Sequence, residues 1–268
     1  MGKIKFQWGK ILLSTAMAVG FATSTQAGNL FVTGHDSDEH RNNEYMTAGL
    51  DYLAFGSAAT AVADRSTFSI AYLEVNSANP VAGLTSMGWG SVDYFSADIA
   101  TDFASVFSGG YDMIMVGSGT TNTAIANLSS NATGFADYFN TGGSIFVHTD
   151  EGAGQQWYDF IPSFGTTVNN SISSRGAFTA TTEGNAIGLT EAIVDRDITH
   201  SYYTGVDTSL FTIFETYNAT GDAVAFGLRD ASIGGGGFIP NPNGVPEASS
   251  IALLALGLFG LGFTRRKN

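Results

Sequence analysis

Two periods alternate along the first part of the chain. Short apolar runs read as strands: NLFVTG (Asn29–Gly34), FSIAYLEV (Phe68–Val75), SVDYFS (Ser91–Ser96), MIMV (Met113–Val116) and SIFV (Ser144–Val147). Between them, apolar residues recur at helical spacing. Met46, Leu50 and Leu53 do so in NNEYMTAGLDYLAFG, with Asn42 or Asn43 as the N-cap. Ile99 and Phe103, with Val106 or Phe107, do so in DIATDFASVF. TGFADYFNTGG reads as a helix closed by glycine, and QQWYDFI as a further helix.

Strands alternating with helices predict βαβ units: an α/β fold with a mainly parallel sheet and helices on both faces. MIMV and SIFV are continuously apolar, as strands covered on both faces should be. After Phe164 the pattern dissolves into the polar TTVNNSISSRGAFTATTEGN, and SLFTIFETY and DAVAFGL read as later strands. No internal repeat is visible. GGGGFIPNPNG (Gly234–Gly244) reads as a flexible linker, which sets the α/β domain at 28–233.

The two ends have a different character. Lys3, Lys5 and Lys10 precede the apolar run Ile11–Phe21, and Thr25 and Ala27 form an A-x-A-like cleavage site. Residues 1–27 therefore read as a secretory signal peptide for signal peptidase, with a mature chain from Gly28. At the other end Ile251–Phe263 is thirteen apolar or glycine residues without a charge. A spanning helix needs about 20, so this segment suits transient membrane insertion, stopped by Arg265, Arg266 and Lys267. The box Val245, Pro246, Glu247, the apolar helix and the basic end together resemble the PEP-CTERM sorting signal of Gram-negative bacteria, with Ala248 where that signal usually has a second proline. The resemblance implies a tail at 245–268 that an exosortase recognises and removes. It also implies export, transient anchoring in the inner membrane, and delivery to the cell surface or exterior, often beside exopolysaccharide.

Without these ends the charge changes. Residues 28–244 hold five arginines, no lysine and 23 acids, a net charge of −18. Such a surface repels nucleic acid and favours cations. The chain has no cysteine, which excludes disulfides, thiolate nucleophiles and Cys-type zinc sites.

In parallel sheets ligands bind beyond the carboxyl ends of the strands. The polar residues there are His35, Asp36, Asp38, Glu39 and His40; Gly117, Ser118, Gly119 and Thr120; and His148, Thr149, Asp150 and Glu151. Asp195, Asp197, His200, Tyr202 and Tyr203 follow later. All four histidines fall in three of these segments. HDSDEH has residue types for a divalent cation through carboxylates, or zinc through imidazole, without the spacing of a calcium loop. GSGT can cradle an anion with backbone N–H groups. The same residues also serve as plain turn and helix caps.

YDMIMVGSG and FADYFNTGGSIFVHTDEGAGQQWYDFIPSFG resemble the class I glutamine amidotransferase-like superfamily, in its ThuA-like branch, through Gly142, Gly143, His148, Trp157 and Tyr158. The resemblance implies a flavodoxin-like sheet and an association with sugar metabolism. The superfamily's cysteine nucleophile is absent, which excludes glutamine hydrolysis by that route. Two readings follow. In the first, the domain binds carbohydrate or matrix without catalysis, with His35, Ser118, Glu151, Trp157, Tyr158, His200 and Tyr202 as ligand contacts. In the second it is a glycan-active enzyme with His148 as general base, oriented by Asp36 or Asp150. A third, an acidic structural filler, predicts neither.

Overall fold

A computed structural model describes residues 27–241 apart from the short segments 76–78, 120, 150–153, 163–165, 170–174 and 197–198. In chain order the elements are β1 Gly28–Thr33, α1 Asn43–Phe55, β2 Ser69–Glu74, α2 Asn79–Ser86, β3 Ser91–Ser96, α3 Ala100–Ser108 and β4 Met113–Val116. Then come α4 Asn122–Ser130, α5 Ala132–Asn140, β5 Ser144–Val147, β6 Thr167–Asn169, β7 Phe178–Ala180, α6 Thr182–Ala186 and α7 Glu191–Val194. The last strands are β8 Tyr202–Thr204, β9 Thr212–Tyr217, β10 Ala223–Gly234 and β11 Gly237–Pro240. The fold is mixed α/β around one large sheet, as the alternation predicts. Residues 1–26 and 242–268, within which the expected signal peptide and sorting tail fall almost entirely, lie outside the described part.

The strands run in the order β3-β2-β4-β5-β1, all parallel, and β10 continues the sheet antiparallel to β1. α1 and α2, which lead toward β3, lie over one face. α3, α4 and α5, which lead back, lie over the other, as a single crossover hand requires. Successive residues of each strand therefore enter opposite cores. Phe31, Ile70, Met113, Met115 and Phe146 pack with Met46, Leu50 and Leu53 of α1. Leu30, Leu73, Ile114, Val116 and Val147 pack with Phe103, Phe135 and Phe139 on the other side. Two covered faces account for apolar runs where a half-exposed strand would alternate.

α1 starts where Asn42 accepts the Tyr45 N–H at 3.3 Å and ends at Gly56, which takes the left-handed conformation (φ 76°). QQWYDFI, expected as a helix, forms a short 3-10 turn over 154–158. The expected linker is also corrected in part. β11 folds back on β10 through Gly235 and Gly236, both at positive φ, and Phe238 packs edge-on against Phe139 and Phe211. Glycines there permit a tight turn, so the domain extends through Pro240.

The antiparallel half overhangs the carboxyl end of β1. Thr33 pairs with Ala225 of β10, and β8 takes over beyond it, Tyr203 pairing with Ala223 and with Val168 of β6. β9 flanks β10 and carries β7. Gly34 permits the overlap: a Cβ there would lie 1.8 Å from the Ser201 carbonyl oxygen, and the N–H groups of His200 and Ser201 donate to the Gly34 carbonyl at 2.9 and 3.1 Å.

Candidate functional site at the strand carboxyl ends

Register aligns the strand ends. Val32, Val147, Val116 and Leu73 sit side by side, so the residues that follow them, Thr33, His148, Gly117 and Glu74, form one rank. The segment His35–Asp38, leaving β1, runs across this rank and sends each side chain to a different neighbour.

His35 turns toward the overhang. Its Nε2 lies 2.7 Å from Glu215 Oε1, and its Nδ1 3.0 Å from the Thr199 hydroxyl. Tyr45 donates to Glu215 Oε2 at 2.8 Å and meets the Thr33 hydroxyl at 2.8 Å. Asp36 lies between two imidazoles, His40 Nδ1 at 2.8 Å and His200 Nε2 at 2.9 Å. Ser37 meets His148 Nε2 at 2.9 Å. His148 Nδ1 faces the Val116 carbonyl at 3.1 Å, and since a carbonyl only accepts, that nitrogen carries a hydrogen. Asp38 Oδ2 accepts from Tyr72 at 2.9 Å and from the Ser118 N–H at 2.8 Å.

Glu74 completes the rank. Its Oε1 accepts from the Val75 N–H at 2.5 Å and its Oε2 from the Gly119 N–H at 3.0 Å. The N–H groups of the GSG turn are thus taken by the protein's own carboxyls, Asp38 and Glu74. Gly117 is required: a Cβ would stand 1.8 Å from Glu74 Oε2 and 2.6 Å from Asp38 Oδ2. Burial first, then the charge of Asp38, push Glu74 up from 4.5 to about 8, against the pull of the two N–H donors. Burial also acts to raise Asp38, but the charge of His148 and the Ser118 N–H outweigh it and hold that carboxyl below its ordinary value. Near neutrality the pair therefore holds one proton, on Glu74. Asp38 Oδ1 is buried without a hydrogen-bond partner among the described residues.

The structure thus brings His35, Asp36, Ser118, His148 and His200 around one segment. It pairs Asp36 with His40 and His200, and not with His148, which faces Ser37. Trp157 and Tyr158 are core residues, 1% and 3% exposed. The Trp157 N–H donates to the His148 carbonyl at 2.9 Å, and the Tyr158 hydroxyl meets that of Tyr203 at 2.7 Å, so neither ring offers a face to solvent. Tyr202 is half-buried beside Tyr217. Asp150, Glu151 and Asp197 lie outside the described residues. Among the described residues no group of three or more His, Asp or Glu is arranged to hold a metal ion. Glu74 and Glu215 were not singled out from the sequence. The signal was present: each is a lone acid inside an otherwise apolar or neutral strand.

A separate cleft of about 530 Å³ opens beside β8, β9 and the turn before β10. Phe211 and Ile213 line its apolar part, and Thr208, Thr212, Thr216, Glu183 and Asp222 its polar part. The side chains of those last five make no hydrogen bond with another described residue. No Lys, Arg or His lines it.

Residues 244–267 match the PEP-CTERM protein-sorting motif. That motif marks the chain for export from a Gram-negative cell and sorting to its surface or exterior, with processing by an exosortase. Val245, Pro246, Glu247, Arg265, Arg266 and Lys267 fall within it. No curated protein matches the chain. The structure of IMPa from Pseudomonas aeruginosa in complex with an O-glycopeptide aligns over 50% of this chain and 15% of that one, at 17% identity and TM-score 0.30. The IMPa metallopeptidase from Pseudomonas aeruginosa aligns over 46% and 13%, at 20% identity and TM-score 0.28. Among the described residues no helix is long and apolar enough to cross a membrane, and Ile251–Phe263 lies outside them.

Proposed function

We propose that this exosortase-sorted protein binds carbohydrate or another matrix component without catalysis, through the cleft beside β8 and β9. One contrast carries the reading. The strand-end groups largely satisfy one another in the interior, whereas the cleft holds three threonine hydroxyls and two carboxylates without partners among the described residues, beside the apolar Phe211 and Ile213. Sugar recognition needs both features: polar atoms for hydroxyls and apolar surface for the ring faces. An exopolysaccharide of the cell surface is the natural partner, and the acidic surface disfavours nucleic acid. Affinity electrophoresis of the protein through gels containing neutral polysaccharides tests this. Retardation that Thr212→Trp, which fills the cleft, abolishes is the expected result. Retardation unchanged by that variant would move binding elsewhere.

A second reading has its own observation. Asp38 and Glu74 share one proton at the strand ends, and Asp38 Oδ1 has no partner among the described residues. A carboxylate beside a carboxylic acid is a general base and acid in one pair, in keeping with a glycan-active enzyme. Here the pair replaces His148 and Asp36 as the proton-transfer groups. Oligosaccharide turnover that Asp38→Asn abolishes would establish it, and a wild-type protein that turns over no oligosaccharide in a broad panel would remove it.

A further inference from the structure

We infer that the cleft beside β8 and β9 selects sugar chains carrying free amino groups, protonated hexosamine units, over N-acetylated, neutral or uronic acid chains. The inference rests on the proposed carbohydrate binding and adds the charge of the ligand.

Glu183, exposed, and Asp222, half-buried, both line the cleft, and neither carboxylate has a hydrogen-bond or ion-pair partner among the described residues. All five arginines of residues 28–244 lie elsewhere. Arg65 is bound to Asp51, Arg196 to Glu44, and Arg229 donates to the Tyr52 carbonyl; Arg41 and Arg175 do not line the cleft. A uronate entering the cleft therefore meets two like charges and no counter-charge. A neutral sugar can donate its hydroxyls to both carboxylates, but these uncharged donors give weaker hydrogen bonds than an ammonium and leave the two negative charges uncompensated. An ammonium group gives each carboxylate a charge-assisted partner, about twice as strong as a neutral hydrogen bond. The domain's field points the same way: a net charge of −18 draws a polycation toward the surface and repels a polyanion. Thr208, Thr212 and Thr216 then serve the ring hydroxyls common to all hexoses.

The test uses the full chain in mild detergent and four hexasaccharides: β-1,4-glucosamine, its fully N-acetylated form, a β-glucan and a polyuronate. Binding is measured by calorimetry at pH 5.5. We expect the glucosamine oligomer to bind about ten-fold or more tighter than its N-acetylated form, with affinity falling as salt rises. The double variant Glu183→Gln/Asp222→Asn should erase that preference and leave the β-glucan within about two-fold. Both positions are half-buried or exposed and their side chains unpaired, so an unchanged melting temperature is expected for the variant. Equal binding of the glucosamine, N-acetylated and β-glucan oligomers, unaffected by the double variant, would overturn the charge selection and leave carbohydrate binding standing. Preference for the polyuronate would do the same. No binding of any oligomer would overturn both.

Discussion

His35 and Glu215 stand 180 residues apart in sequence, yet His35 Nε2 lies 2.7 Å from Glu215 Oε1 with both side chains fully buried. They join strands that are not neighbours. Thr33 of β1, Ala225 of β10 and Glu215 of β9 form one row, and the imidazole reaches across the middle strand. Removing the carboxylate takes the Glu215 partner from His35 Nε2 and from the Tyr45 hydroxyl in the interior. Glu215→Ala is expected to cost about 3–5 kcal/mol. That lowers the melting temperature by roughly 10 °C in a domain of this size, measured by calorimetry. A loss under a few degrees would show that the clip is dispensable.

Glu74 sets a pH dependence. The folded carboxyl holds its proton up to about 8, and the unfolded one releases it near 4.5. Between these values the folded state binds more protons, so stability falls as pH rises through that window. The whole effect is on the order of a few kcal/mol, all of it present as a cost above pH 8. Glu74→Gln cannot ionise and should flatten the curve, melting higher than wild type at pH 9 and no higher at pH 4.5. Parallel curves for the two proteins across pH 4–9 would contradict a protonated Glu74.

Gly117 has no spare room. A methyl group there overlaps the carboxyl pair, so Gly117→Ala should cost about 3 kcal/mol or displace the GSG turn. Gly110 is the matched control. It sits at φ 71° with open space around its Cβ position, so alanine there meets only backbone strain of about 1–2 kcal/mol. Chemical denaturation of both variants makes the comparison. Equal losses would mean that crowding at Gly117 adds nothing.

The sorting motif makes a prediction of its own. Pro246→Ala with Glu247→Ala should leave the tail uncut, so the exported chain keeps its full mass from residue 28 to residue 268. Intact mass spectrometry of the membrane and surface fractions reads this directly. A processed mass from the double variant would exclude the Pro-Glu box from recognition.

Runs such as MIMV and SIFV announced a parallel sheet because both their faces are covered, which leaves no polar alternation. The strand-end rule then led to His35, Asp36, Asp38, Ser118 and His148, because it depends only on where a strand stops. Partners were harder to read. Asp36 was expected beside His148 and meets His40 and His200, because only the overhang of β8 decides which imidazole arrives. Glu74 and Glu215 sit within strands, and register alone shows what they face. Trp157 and Tyr158 carry the composition of a sugar platform, but composition does not distinguish a ring on the surface from one in the core. β6, β7 and β8 are too short to display a period at all.

β10 is the longest strand, and it joins two poles. At one end Ala223 lies beside Tyr203 at the cleft; at the other Ala231 lies beside Gly28. The distance between them is roughly 26 Å along an extended strand. The Asn241 N–H donates to the Asp230 carbonyl at 2.8 Å, so the last described residue lies near where β1 begins. The threonine-lined cleft and the last described residue therefore stand toward opposite poles of β10.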